Sequence, residues 1–452
     1  MRQKWFWVVV SFAFLVFGAW SLRSESSKTD AVYSEAEMLL FARNEILNRY
    51  AEKVDSRQLF YGSIQGMMAT LDDYSQFLKP DLYKELRIDT EGEFGGLGIE
   101  ITQDERGILT VITPIEDTPA FTGGVRAGDR IIKIDGKTTE KLTVTDAVKI
   151  LRGKPGTAVT ITLYRKGEHE LRDITLTRDI IRIKSAKGAR LMDETNKIGY
   201  VRLTRFQADT CAELDQAVNA LKKQGMKALV LDLRFNPGGR LDTAVDVADR
   251  FLAEGLIVST KGRENSQNKE HWARKAGTYD PFLVAVLISG RSASASEVVT
   301  GALQDNGRAI VVGAKSFGKA SVQSIIEFQT DEGMAALKLT TAHYYTPSGK
   351  LIHGKGIEPD ITVTVTPEDE EKVLEEWRRL RMEEVKPQEK EKDAPKEPST
   401  ATGANIEEKP FWEAGDEKKK ESVIDRQLET AVNVLRGMMA LQKTPVKTVA
   451  KP

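Results

Sequence analysis

Hydrophobic positions change their spacing several times along the chain, and each change marks a different kind of element. Residues 5–22 form an apolar stretch without a charge, behind Arg2 and Lys4. From about Ser34 to Leu86 apolar residues such as Met38, Leu39, Ile46 and Leu47 recur at helical spacing, and LDDYSQFLKP closes the region at Pro80. Between about Thr90 and Ile181 the pattern shortens to β-type runs: GLGIEI, ILTVITPI, DRIIKIDG, VTITLYR and ITLTR. One helical segment, VTDAVKILRG, interrupts them and stops at Gly153. Short runs punctuated by Gly and Asp predict a small, mostly-β module.

From Lys197 to Val365 strands alternate with helices. IGYVRL precedes a helix around Leu214–Lys223, ALVLDLR precedes LDTAVDVADRFLAEG, and FLVAVLISG precedes ASEVVTGALQD. This βαβ rhythm predicts a sheet covered by helices, with functional loops at the C-terminal ends of its strands. Beyond Thr366 the chain turns rich in Glu, Lys and Pro, with little apolar surface to bury. A helical extension running into a disordered linker is expected there. The last amphipathic stretch, VIDRQLETAVNVLRGMMALQK, is expected to dock or associate.

At 452 residues the chain has room for two or three domains. Its 66 basic and 67 acidic residues nearly cancel, which gives no electrostatic case for nucleic acid. Cys211, the only cysteine, excludes an intrachain disulfide and a Cys-rich zinc site. The apolar leader reads as a signal peptide or a single membrane anchor. Trp20 interrupts the small residues that a cleavage site needs, so an uncleaved anchor with an exported chain is expected.

Ser294 lies in RSASASEVVTGALQD, after an apolar strand and at the mouth of a helix. Exposed N–H groups and the helix dipole would there favour developing negative charge, although Ser292 or Ser294 could equally serve as a plain N-cap. Lys319 follows the strand AIVVG and the turn KSFG. An ordinary lysine, pKa about 10.4, is neutral only about once in 2,500 molecules at pH 7, so a base must be desolvated. A solvated surface lysine is the plain alternative. Gly313 to Lys319 also reads G-x-x-x-x-G-K, but Ala320 stands where a phosphate-binding loop requires Ser or Thr. Gly238 and Gly239 in LDLRFNPGGR are candidate oxyanion donors or simply a strand-to-helix turn. Gly95-Gly96-Leu97-Gly98 could offer consecutive N–H groups to a carboxylate. His169, His271, His343 and His353 form no metal-ligand pattern.

Taken together, SASASEVVTGALQDNGRAIVVGAKSFGKASVQ, LDLRFNPGG and YYTPSGKLIHGKGIEPDI resemble the carboxyl-terminal processing proteases of peptidase family S41. The likeness extends through GMMATLDDYSQFL, FGGLGIEI, AGDRIIKIDGK and IDRQLETAVNVL. It implies an α+β multidomain chain. A leader (1–24) and a helical N-terminal region (30–86) come first, then an inserted PDZ domain (87–180) and a crotonase-like α/β protease core with βαβ units (181–366). A charged linker (367–420) and a C-terminal helix (421–443) follow. The resemblance implies Ser294 as nucleophile, Lys319 as base and Gln323 as the group that orients the amine. Gly239 and Ala295 would supply the oxyanion amides, and Gly96, Leu97, Gly98 and Ile99 would bind substrate. Ala320 and Ala314 depart from the usual glycine and acidic residue of the pattern.

Cleavage of proteins near their C-termini is the expected activity, with no cofactor and no metal. Protein or peptide C-termini are the expected partners, with an envelope adaptor protein and a homo-oligomer. The expected location is the periplasm or cell envelope, anchored to the inner membrane. A catalytically silent PDZ scaffold is the alternative.

Overall fold

The computed structural model describes residues 34–104, 106–115, 118–168, 170–384 and 424–443. The leader, His169 and most of the charged linker lie outside the described residues. Contacts divide the chain into two units, one running to Tyr83 and including Gln323–Thr340, the other holding Lys84–Val322 and the chain from Thr341 onward.

The chain opens with α1 (34–49), α2 (Ser56–Ala69) and the short strand β1 (Gln76–Leu78). Asp55 starts α2 by accepting the N–H groups of Arg57 and Gln58. Pro80 opens a further helix, α3 (Pro80–Glu91), where sequence spacing had closed one. A proline lacks only an N–H that the first helical turn leaves unused, so this position suits it. Met38, Leu39, Ile46 and Leu47 are exposed on α1, although their spacing is that of a helix with a buried face.

The β-rich module comprises β2 (Glu93–Gly96), β3 (Ile99–Gln103), β4 (Leu109–Pro114), α4 (Pro119–Thr122), β5 (Arg130–Ile134) and β6 (Lys137–Thr138). It continues with α5 (Val144–Leu151), β7 (Ala158–Tyr164), β8 (Arg172–Thr177) and β9 (Asp179–Arg182). Its sheet runs β3-β4-β5-β7-β8, which leaves β3 at an edge, while β2 and β9 pair separately. Thr143 and Asp146 close a capping box that starts α5. Leu109, Val111, Ile131, Ala147 and Ile161 are fully buried in the module's own core.

The αβ region follows as β10 (Ala186–Asp193), β11 (Ile198–Leu203), α6 (Thr210–Lys223), β12 (Ala228–Asp232), α7 (Leu241–Asp249), β13 (Leu256–Gly262), β14 (Lys269–Trp272), β15 (Leu283–Ile288), α8 (Ala295–Asp305) and β16 (Ile310–Gly313). It ends with β17 (Ser321–Thr330), β18 (Gly333–Tyr345), β19 (Ile361–Thr362), α9 (Pro367–Glu384) and α10 (Arg426–Lys443). The central sheet is ordered β10-β11-β12-β15-β16-β19, parallel throughout except for its β10–β11 edge. Parallel strands need cover on both faces, and the period-2 alternation supplies two apolar faces. Val201, Leu229, Leu231, Val284 and Val286 pack with residues of α6, α7 and α8. Ile198, Tyr200, Val230, Ala285 and Val312 pack with Leu428, Ala431, Val432 and Leu435 of α10. The terminal amphipathic segment therefore docks, covering a face that would otherwise expose strand side chains to water.

In the first unit, β1 pairs antiparallel with Ala336–Lys338 of β18, and Tyr61, Met68, Phe77 and Ala335 form a small core there. In the second unit, the end of β18 pairs with β13, matching Tyr344 to Thr260.

Candidate active site

Three serines stand at alternate positions in SASAS, and burial separates them. Ser292 and Ser296 are both fully buried. The Ser292 hydroxyl donates to the Leu233 carbonyl at 2.8 Å and the Ser296 hydroxyl to the Asn236 carbonyl at 2.9 Å. Ser294 is only half-buried, so it alone of the three presents its side chain towards solvent. It occupies the N-cap of α8 with φ 56° and ψ −115°, a conformation costly for a residue that bears a Cβ. Such strain persists only where surrounding contacts hold it, and here they are numerous.

Glu297 is the chief of these contacts. The residue is 1% exposed, and its carboxylate gathers four close donors, with the Tyr344 hydroxyl a fifth at 3.5 Å. One oxygen accepts the Ser316 hydroxyl at 2.6 Å and the Gly318 N–H at 2.7 Å. The other accepts the N–H groups of Ser294 and Lys319, each at 2.8 Å. Two backbone nitrogens that share one oxygen lie within twice that distance of each other. Glu297 thus fastens the Lys319 backbone beside that of Ser294. The Tyr344 hydroxyl reinforces the join, contacting the carbonyls of both Ser294 and Lys319. The Lys319 loop is further pinned by Phe317 N–H to Ser292 carbonyl (3.0 Å) and Gly354 N–H to Gly318 carbonyl (2.8 Å).

Lys319 is half-buried, on the turn between β16 and β17. The chain leaves that turn as a strand, so the G-x-x-x-x-G-K run lacks the helix on which a phosphate-binding loop depends. Gln323 belongs to the other unit, where its amide donates to the Thr340 hydroxyl at 3.3 Å.

The LRFNPGG turn flanks Ser294 on its other side. A Cβ placed on Gly238 would come within 2.7 Å of the Ser294 Cβ and 2.9 Å of the Ala295 nitrogen, so only a glycine permits this approach. Asn236 ties the turn to the serine loop. Its carbonyl accepts the Ala293 N–H at 3.0 Å, and its side-chain oxygen accepts the Gly238 N–H at 2.9 Å. Among the described residues, neither the Gly239 nor the Ala295 N–H donates a hydrogen bond within the chain. Two donors without internal acceptors, beside a half-exposed hydroxyl, can receive an oxyanion.

Arg234 and Asp232 anchor the start of this turn, and both are buried. The Arg234 guanidinium pairs with Asp232 at 2.7 Å and with Asp425 at 2.8 Å. Burial opposes its charge, but the two carboxylates outweigh that and hold its pKa above the ordinary arginine value. Sequence spacing did not single out Glu297, Asn236, Tyr344 or the Asp232–Arg234 pair. A signal for Glu297 was present, because Ser294-x-x-Glu297 is a capping-box pattern. Arg234 carried one too, as a charge directly after an apolar strand.

Elsewhere, the rings of His343 and His353 meet edge to face at 5.0 Å, close to the Ala320 N–H, so these two histidines share a setting that their spacing had concealed. Cys211 is half-buried, and burial pushes its thiol up to about 11, which leaves little thiolate.

The β-rich module holds a cavity of 350 Å³ between β3 and α5. Gly96, Leu97, Gly98 and Ile99 all lie in its wall, with Ile101, Val148 and Leu151 supplying apolar surface. Because β3 is an edge strand, an extended peptide could add to it. Among the described residues the Leu97 and Gly98 N–H groups donate no hydrogen bond within the chain, and both residues line this cavity.

Comparison with known proteins agrees with this architecture. Residues 197–363 match the model of peptidase family S41, residues 95–176 a PDZ domain, and residues 18–81 the activating protease CtpB N-terminal domain. A carboxy-terminal-processing protease of Bartonella bacilliformis is 45% identical over 70% of this chain and 72% of its own. A carboxyl-terminal-processing protease of Picosynechococcus sp. is 36% identical over 78% of this chain and 83% of its own. A solved structure described as photosystem II D1 C-terminal processing protease is 32% identical, covering 72% of this chain and 86% of that one at a TM-score of 0.42. With a PDZ domain ahead of an S41 domain, and relatives this similar along most of their length, the chain belongs to the serine-type carboxyl-terminal processing proteases of peptidase family S41.

Proposed function

We propose that this protein is an exported endopeptidase that captures protein C-termini in its PDZ domain and cleaves them with a Ser294–Lys319 dyad. The observation that carries the reading is the strained, half-exposed Ser294, whose N–H shares one Glu297 oxygen with the Lys319 N–H. The neutral Lys319 amine takes the hydroxyl proton as the Ser294 oxygen attacks a peptide carbonyl. The Gly239 and Ala295 N–H groups stabilise the oxyanion, each contributing about 10²–10³ in rate in comparable sites. The lysine returns the proton to the leaving amine, and water activated by the same amine hydrolyses the acyl-enzyme. The family pattern implies Gln323 as the group that would orient the amine.

Substrate capture rests on the Leu97 and Gly98 N–H groups, which have no acceptor within the described chain, and on the apolar wall beside them, which together suit a carboxylate followed by an apolar side chain. Export rests on the charge-flanked apolar leader, Arg2 and Lys4 before residues 5–22. The family pattern adds a homo-oligomer and an envelope adaptor, and the leader, with Trp20 among its small residues, adds an uncleaved anchor in the inner membrane.

The test is incubation of the full chain with casein and with peptides ending in free or amidated apolar residues, read by mass spectrometry. Fragments from the wild type and none from Ser294→Ala support the reading. Equal fragments from both would refute the nucleophile, and none from either would favour a PDZ scaffold.

A further inference from the structure

The terminal helix α10 contributes more than a cover for the sheet. Its N-cap, Asp425, faces Arg234 in a two-pronged pair, Nη1 to Oδ1 and Nη2 to Oδ2, each at 2.8 Å. Gln427 adds a third tie, accepting from Arg234 Nη1 at 3.3 Å while donating to the Val363 carbonyl at 3.0 Å. On its opposite edge the guanidinium meets Asp232, which also accepts the Tyr200 hydroxyl at 2.9 Å. Arg234 is 2% exposed, so a prong left without Asp425 has no ready access to water.

The turn that follows Arg234 carries the oxyanion amides. Phe235, at φ 59°, bends the chain and donates to the Ser289 hydroxyl oxygen at 3.2 Å. Asn236 then holds the Gly238 N–H with its side chain, and the Ala293 N–H and Ser296 hydroxyl with its carbonyl. A shift of the Arg234 backbone is therefore passed to Gly239 on one side and to Ala295 on the other. We infer that Asp425 is a positioning residue for catalysis: by clamping Arg234 from the terminal helix, it fixes the turn that presents the Gly239 and Ala295 amides. This rests on the reading of Ser294 as nucleophile.

Asp425 is also the helix cap, its side chain accepting the Leu428 N–H at 3.1 Å. Asparagine caps a helix as well as aspartate does, so Asp425→Asn removes the charged clamp and retains the cap. The full-length enzyme is assayed with a fluorogenic peptide bearing a free apolar C-terminus. The expected result is a kcat lowered about 10–100-fold with KM within about twofold, because the loss falls on oxyanion geometry. Asp425→Glu, which restores a carboxylate, is expected to recover most of kcat. Leu435→Ala, fully buried on the same helix against the central sheet and without a bond to Arg234, is expected to lower the melting temperature and leave kcat unchanged well below it. Ser294→Ala runs alongside. If it is inactive while Asp425→Asn turns over at the wild-type rate, the positioning role is wrong. The role also fails if Leu435→Ala loses kcat as Asp425→Asn does. If Ser294→Ala itself cleaves normally, the nucleophile assignment falls, and this inference with it.

Discussion

Substituting Glu297 by glutamine probes the join between the two reactive segments, and its cost follows from the donors it serves. Ser316 and Gly318 face one oxygen, Ser294 and Lys319 the other. The amide nitrogen of the introduced glutamine would turn towards Ser316, whose hydroxyl can also accept. That orientation leaves the Gly318 N–H opposite a donor, and loss of the charge weakens the remaining bonds. A buried donor without an acceptor costs roughly 1–3 kcal/mol, and lost charge assistance adds about 1 kcal/mol for each of the Ser294 and Lys319 bonds, giving about 3–5 kcal/mol in total. That is a large part of a domain's usual stability of roughly 5–15 kcal/mol, and corresponds to a fall in melting temperature on the order of 10 °C. Displacement of Lys319 from Ser294 by a fraction of an ångström should lower kcat about 10–100-fold. Calorimetry and steady-state cleavage of a fluorogenic peptide measure both. A Glu297→Gln enzyme with unchanged melting temperature and kcat would refute the claim that this carboxylate holds the site together.

Other expectations concern the PDZ groove and the docking of α10. Gly98 has φ 76°, and a Cβ there would meet Thr118 side-chain atoms at 2.3–2.5 Å. Gly98→Ala should therefore raise KM about tenfold for peptides with free C-termini and leave kcat nearly unchanged; an unaltered KM would exclude the groove from capture. Hydrogen bonds from Asn196, then from Arg436 of α10, hold the Asp193 carboxyl well below the usual carboxylate range. A depressed folded pKa stabilises above the unfolded value of about 4 and is lost as pH falls through the folded one. The melting-temperature gap between wild type and Asp193→Asn should accordingly be widest near neutrality and shrink below about pH 4. A gap constant from pH 7 to about 3 would contradict this.

The sequence made some of these features plain and hid others for physical reasons. Ser294 and Lys319 stood out because small residues and glycine turns surround them after apolar strands, and α8 spans the Ala295–Asp305 segment read as helix. The alternation of strands with helices likewise pointed to a central sheet covered by helices. Pro80 misled because proline both ends helices and begins them, and only the tertiary path decides which. Exposure of Met38 and Leu39 could not be read from spacing, which reports a shared face and not what covers it. The bond from Arg234 to Asp425 joins positions nearly two hundred residues apart, and no local pattern records such a meeting. Glu297 showed only as a cap, because its other donors arrive from a loop beyond the next strand.

The central claim is that Ser294 acts as a nucleophile made reactive by Lys319. Labelling with a fluorophosphonate probe, followed by peptide mapping, tests it most directly. The account predicts one adduct, on Ser294, forming at least about a hundredfold more slowly in Lys319→Ala. An adduct on another residue, or undiminished labelling of Ser294 without Lys319, would contradict it.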